Sequence, residues 1–194
     1  MLLGPAGPRK AVSSPCEDRD MSGPTRGGRT AYRIVVVCTG NICRSPMGEW
    51  LLREALDSAG LGDRVEVSSA GTSAQQSGNP MDPRTIAVMR RGGHIDAGWD
   101  RHRARHFDSG EFADLDLVLA ADRGHERALL RLAPTETDRA KVRLLRSFDP
   151  GTAADDLDMA DPWWGDDDAF ERTHAEVRAA VPGVVEHVRA AVKQ

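Results

Sequence analysis

A cysteine and an arginine, Cys38 and Arg44, stand with five residues between them in the stretch Cys38-Thr39-Gly40-Asn41-Ile42-Cys43-Arg44-Ser45-Pro46. A thiolate is a nucleophile, and a guanidinium can bind two oxygens of one oxyanion in its planar fork. The residues around them suit the same anion. Gly40 can take a positive φ without steric cost and Asn41 tolerates it, so a loop here can turn successive backbone N–H groups inward. Ser45 is a good N-cap and Pro46 suits the first helical position, which would aim a helix N-terminus at the same point. A cysteine in such an electropositive cup favours its thiolate. The chemistry implied is attack of Cys38 on a phosphorus atom whose oxygens Arg44 and the loop amides hold.

That chemistry needs a proton donor for the leaving oxygen, and the same carboxylate could later activate water. The segment before the last helix offers Asp155, Asp156, Asp158, Asp161, Asp166, Asp167 and Asp168. Asp166 to Asp168 suit a helix N-terminus, and Asp155, Asp156 and Asp158 read as a solvated acidic run. Asp161 differs in being followed by Pro162 and two large aromatics, but residue types alone leave the choice open. Asn41 is expected to hold the loop through side-chain to backbone hydrogen bonds. Ser45 has a second reading, a hydroxyl that donates to the Cys38 thiolate and eases its departure.

The elements that must position these groups alternate. The apolar run Ile34 to Val37 predicts a buried first strand, within Arg33 to Val37. A helix from about Met47 places Met47, Trp50, Leu51 and Ala55 on one face, with Gly60 and Gly62 ending it. Arg64 to Ser69 reads as a second strand, Asp82-Pro83 opens a second helix, and Gly92-Gly93 closes it. A helical turn is expected from Ser109 to Ala113. Leu115 to Ala120 reads as a third strand, Asp122 as the cap of a helix stopped by Pro134, and Val142 to Leu145 as a fourth strand. A Gly- and Asp-rich loop follows, Arg146 to Gly165. Val177, Val181, Val184, Val185, Val188 and Val192 mark a long final helix that Pro182 should kink or interrupt. Alternating strands and helices predict an α/β fold, a four-stranded parallel sheet with helices on both faces and the phosphate-binding loop after the first strand. The site then lies at the carboxyl ends of the strands.

Composition narrows the class. The formal net charge of −4 argues against a nucleic-acid binder. Three cysteines at irregular spacing form neither a disulfide framework nor a zinc site. No apolar run is long enough for a membrane span, and Leu2-Leu3 is too short for a signal peptide core. A cytoplasmic enzyme is expected, and the sequence does not reveal its oligomeric state, for which a monomer is the default. Residues 1–31 are rich in Gly, Pro, Ser and Arg and are expected to be a disordered N-terminal extension, with the folded domain at 32–194. Arg84, Arg90, Arg91, Arg101, Arg103 and Arg105 crowd one part of the chain and read as a solvated or ion-paired face, with the Asp155 to Asp168 loop as one partner.

The string from Cys38 to Glu49 (CTGNICRSPMGE) resembles the signature of low-molecular-weight protein tyrosine phosphatases, actinobacterial members above all. Ser68-Ser69-Ala70-Gly71-Thr72, Asp82-Pro83-Arg84, Leu144 to Pro150 and Asp161-Pro162-Trp163-Trp164-Gly165-Asp166 match in the same order. The resemblance implies hydrolysis of phosphotyrosine in proteins, and of aryl phosphates, through a phosphocysteine on Cys38, without metal or cofactor. It singles out Asp161 as the general acid and implies a hydrogen-bond network behind the loop through Ser69 and His102. It also gives Cys43 a choice of roles, a reversible disulfide with Cys38 or packing at the helix start.

Two features depart from the family. Trp163-Trp164 stands where a tyrosine pair is usual, and Gln75-Gln76 occupies the rim where relatives carry an aromatic or a histidine. Aryl phosphate chemistry survives both changes, but they bear on which protein is the substrate. Ile42 distinguishes the tyrosine phosphatases from the family's protein-arginine phosphatases, which carry threonine there. Thioredoxin-coupled arsenate reductases of this fold need further cysteines, and none follows Cys43. A non-catalytic phosphate-binding module would be expected to lack Cys38 or Asp161.

Overall fold

The computed structural model describes residue 1, residues 31–96 and residues 98–193. Strand β1 (Tyr32–Cys38) pairs in parallel with β2 (Val65–Gly71) on one side and β3 (Leu117–Ala120) on the other. Strand β4 (Val142–Leu144) pairs in parallel with β3, so the sheet order is β2-β1-β3-β4. Side chains alternate across β1, and both faces are covered. Ile34 and Val36 pack with α1 (Arg44–Ser58), α2 (Pro83–Arg91) and α5 (Asp167–Val192). Val35 and Val37 pack with Leu129 of α3 (Arg123–Leu132), and with Phe107 and Phe112. Each of these apolar side chains, once buried, contributes about 1.5–3 kcal/mol against exposure, which explains why β1 is apolar throughout.

Four details differ from the sequence reading. Helix α1 begins at Arg44, three residues before Met47, with Cys43 as a cap residue whose side chain makes no capping bond. Ser45 is therefore not the N-cap, and Pro46 lies inside the first turn. That turn tolerates proline because its N–H groups have no intrahelical acceptor anyway. Helix α4 (Glu136–Ala140), capped by Thr135, was not foreseen, because five polar residues carry no periodicity. Strand β3 starts two residues late, since Leu115 closes the turn Ser109–Asp114. Helix α5 runs without interruption through Pro182, because Val177, Val181, Val184, Val185 and Val188 bury both halves in one core. The expected N-terminal extension, Cys16 included, falls on residues 2–30, outside the described residues.

Candidate active site

Strand β1 delivers Cys38 at its carboxyl end, and the loop to α1 returns Arg44 over it. Asn41 takes the positive φ of this loop, 57°, whereas Gly40 does not need one. Glycine suits position 40 for another reason: a Cβ there would lie 2.9 Å from Gln76 Cγ. Asn41 is fully buried and its side chain fixes the turn. Its Nδ2 donates to Ser45 Oγ (2.9 Å) and Ser69 Oγ (2.8 Å), and its Oδ1 accepts from the Arg105 N–H (2.9 Å). Ser69 in turn donates to Glu49 Oε2 at 2.5 Å, and His102 Nε2 lies 2.8 Å from the Asn41 carbonyl oxygen. Ser69 and His102 thus both contact Asn41. Ser45 Oγ donates to the Ala70 carbonyl oxygen at 3.1 Å and also lies 3.1 Å from Cys38 Sγ, so donation to a thiolate would take the proton from Ala70.

Arg44 is nearly enclosed, and both its terminal nitrogens are engaged. Nη1 donates to Asp122 Oδ2 and to the Met159 carbonyl, each at 2.9 Å. Nη2 donates to Asp161 Oδ2 at 2.7 Å and to Thr39 Oγ1 at 3.3 Å. Its Nε is buried without a partner among the described residues. A buried donor left unsatisfied costs about 1–3 kcal/mol, so an anion that reached it would be held.

His125 was missed as a site residue; sequence reading placed the Ala121-Asp122 corner at the site end of the sheet and gave Asp122 the role of α3 cap, which it has, but no partner in the site. Thr39 Oγ1 lies 2.9 Å from His125 Nε2, and His125 Nδ1 lies 2.9 Å from Asp122 Oδ1. Burial alone would raise the Asp122 pKa. The bonds from His125, side chain and backbone, together with the charges of His125 and Arg44, outweigh it and hold this carboxyl well below the usual carboxylate range. Burial, with the Asp82 carboxylate and Cys38 adding to it, pushes the Cys43 thiol far up. Cys38 and Cys43 are both free, and Cys43 packs in the core beneath the loop.

Cys38, Thr39, Gly40, Ile42, Cys43, Arg44, Ser73, Gln75, Gln76, Asp161, Trp163 and Trp164 line one cavity of about 170 Å³. Every residue expected at the reacting centre or the rim is there, apart from the buried supports Asn41 and Ser45. Trp163 is partly exposed and Trp164 is 88% exposed, their rings edge to face 6.4 Å apart, so they form a wall at the mouth. A larger groove, about 750 Å³, lies along the outer edge of β2, but its charged groups include the Arg33–Glu66 pair and it holds no cysteine.

The acidic segment is less free than expected. Asp156 pairs with Arg146 and Asp158 with Arg123, while Asp166 caps α5 by accepting from the Ala169 N–H. Four of the crowded arginines pair with carboxylates outside that segment: Arg84 with Asp82, Arg90 with Asp96, Arg91 with Glu171 and Arg105 with Glu111.

Comparison with known proteins agrees with this geometry. Residues 33–194 match the family model described as low molecular weight phosphotyrosine protein phosphatase. A low molecular weight protein-tyrosine-phosphatase of Streptomyces coelicolor is 52% identical over 162 residues, covering 84% of this chain and 96% of that protein. The low molecular weight protein-tyrosine phosphatase A of Mycobacterium tuberculosis is 42% identical over 151 residues, 78% of this chain and 88% of the relative. The crystal structure of YfkJ from Bacillus subtilis superposes with a TM-score of 0.75 at 25% identity, covering 85% of this chain and 99% of that one. With the sheet order, the loop and the relatives in agreement, the chain belongs to the low-molecular-weight phosphotyrosine protein phosphatase family.

Proposed function

We propose that this protein hydrolyses phosphotyrosine in phosphoproteins, with Cys38 as nucleophile, Arg44 as phosphate binder and Asp161 as general acid and base. The observation that carries the reading is the meeting of Cys38, Arg44 and Asp161 in the lining of one small cavity walled by tryptophan. Arg44 holds Asp161 at 2.7 Å, so a phosphate dianion entering the loop exchanges places with that carboxylate and takes the guanidinium for its own oxygens. The Cys38 thiolate attacks phosphorus in line, and the bond from phosphorus to the tyrosyl oxygen breaks. Asp161 gives that oxygen its proton. Water then attacks the phosphocysteine, Asp161 takes the water proton, and the sulfur–phosphorus bond breaks to return the thiolate and free phosphate. The Ser45 hydroxyl, 3.1 Å from the sulfur, donates to the departing thiolate. Trp163 and Trp164 offer the aryl group a flat wall. Ile42, in the same cavity, supports phosphotyrosine over phosphoarginine.

A cytoplasmic location suits a site that needs a reduced thiol. No helix among the described residues is long and apolar enough to cross a membrane. The test is phosphate release, with chelator present, from a phosphotyrosine peptide, a phosphoarginine peptide and, separately, reduction of arsenate. Release from phosphotyrosine alone is expected, and Cys38→Ser should abolish it while still binding a phosphate analogue. Binding without turnover by the wild type would instead identify a phosphate-binding module.

A further inference from the structure

We infer that Arg84, the last residue of the Asp82-Pro83-Arg84 motif, is a positioning residue that holds Asp161 over the leaving group once substrate has taken Arg44. This rests on Asp161 being the general acid. Asp82 is tied to the phosphate loop, because its backbone N–H donates to the Ile42 carbonyl at 2.9 Å. Its carboxylate is 5% exposed and grips Arg84 at two points, Nε to Oδ1 at 3.2 Å and Nη2 to Oδ2 at 2.9 Å. Hydrogen bonding to Asp82 also raises the Arg84 pKa, so the charge is permanent.

The other edge of the guanidinium faces the acid's turn. Nη2 donates to the Trp163 carbonyl at 3.4 Å and Nη1 to the Gly165 carbonyl at 3.3 Å. Its carbon sits 5.6 Å from the Trp163 ring centre and 4.5 Å from that of Phe170, which is fully buried. The short turn Pro162–Trp164 is capped by Asp161, whose Oδ1 accepts from the Trp163 N–H at 3.2 Å. Arg84 therefore bonds the main chain of the same turn whose side-chain carboxylate Arg44 bonds. The two tethers are unequal in time. Phosphate competes for Arg44, so the Asp161–Arg44 contact is given up at the moment the acid must act. The Arg84 contacts lie outside the phosphate loop and persist. Lysine, a point charge without the planar fork, can neither grip Asp82 at two points nor stack on Trp163.

An acid held loosely protonates poorly, and that matters only when the leaving oxygen needs the proton. The test compares phenyl phosphate, a poor leaving group, with 4-nitrophenyl phosphate, a good one, in the wild type, Arg84→Ala, Arg84→Lys and Asp161→Ala. Arg84→Ala and Arg84→Lys should lower kcat/KM for phenyl phosphate by about 10-fold while changing it for 4-nitrophenyl phosphate by less than about 2-fold. Competitive inhibition by inorganic phosphate should be unchanged, which shows an intact loop. Adding Arg84→Ala to Asp161→Ala should cost nothing more. Equal losses on both substrates, no loss on either, or a further loss in the double variant would overturn the inference. Should Arg84→Ala fail to fold, Arg84→Lys carries the same comparison. If Asp161→Ala keeps the wild-type dependence on leaving group, the acid assignment fails and this inference with it. If Asp161→Ala steepens that dependence and the Arg84 variants do not, only the role of Arg84 is lost.

Discussion

At Gly71 a single methyl group decides whether the phosphate loop can close. Gly71 pairs with Cys38 across the β1–β2 register, and a Cβ on it would lie 2.6 Å from the Thr39 carbonyl oxygen and 3.2 Å from the Asn41 nitrogen. Neither side can yield cheaply. Gly71 is pinned from behind, its N–H on the Arg105 carbonyl and its carbonyl on the Phe107 N–H, both 2.8 Å, and Asn41 is held by three side-chain bonds. Gly71→Ala is expected to cost about 1–3 kcal/mol of stability and to weaken phosphate binding together with turnover. Denaturant midpoints and phosphate inhibition measure the two effects, and unchanged inhibition would mean that the loop adjusts. Cys38 and Arg44 were legible in the sequence because the whole cup is local. Asp122, which grips Arg44 across 78 residues of chain, and His125, which reaches Thr39 across 86, were not. Their pairing is a product of strand order, and only the capping role of Asp122 leaves a local trace.

Among the elements, α5 shows where periodicity informs and where it misleads. The valine repeat correctly marked a buried face, and apolar runs placed all four strands to within a few residues. Pro182 argued for a break that packing overrides. The residue after it carries a second constraint. A Cβ on Gly183 would fall inside van der Waals contact of the Phe148 carbonyl oxygen and 3.0 Å from its carbon. The helix thus presses on the turn Leu145–Phe148 that follows β4. In a free helix, alanine for glycine gains about 0.5–1 kcal/mol. Here the sign should reverse, and Gly183→Ala should lose about 1–3 kcal/mol, because backbone must move. A urea midpoint raised by the substitution would refute this close approach. The start of α1 was misread for a related reason. Ser45 and Pro46 have capping preferences, but the helix begins where Arg44 must turn over Cys38, and the Ser45 hydroxyl is engaged by Cys38, Asn41 and the Ala70 carbonyl.

Over the whole molecule, stability should depend on pH in two steps whose signs follow from the buried ionisable groups. His174 and His187 titrate below the ordinary histidine value of 6.5, His174 through burial and then the charges of His94 and Arg178, His187 through burial and Arg143. The folded state therefore binds fewer protons than the unfolded chain, and stability falls as pH drops below about 6.5. His174 adds a geometric reason. Its Nε2 lies 2.8 Å from His94 Nε2, a bond that needs one donor and one acceptor, while His94 Nδ1 engages Glu54 at 2.6 Å. Protonating both rings turns the bond into a repulsion, in a cluster that joins α1, the end of α2 and α5. The second step belongs to aspartates held below the ordinary 3.8, Asp122, Asp138 and Asp149 among them, whose contribution is present above that value and lost as pH falls through their depressed range. Glu176, raised by burial, works the other way, adding stability in acid that disappears as pH rises past its folded value. Urea midpoints measured from neutral pH downward should show a decline that starts with the histidines and precedes the carboxylates. His174→Gln, whose amide can donate to His94 Nε2 without itself titrating, should flatten that first decline and leave the second in place. A variant that keeps the first decline unchanged would move the acid sensitivity away from the junction of α1, α2 and α5.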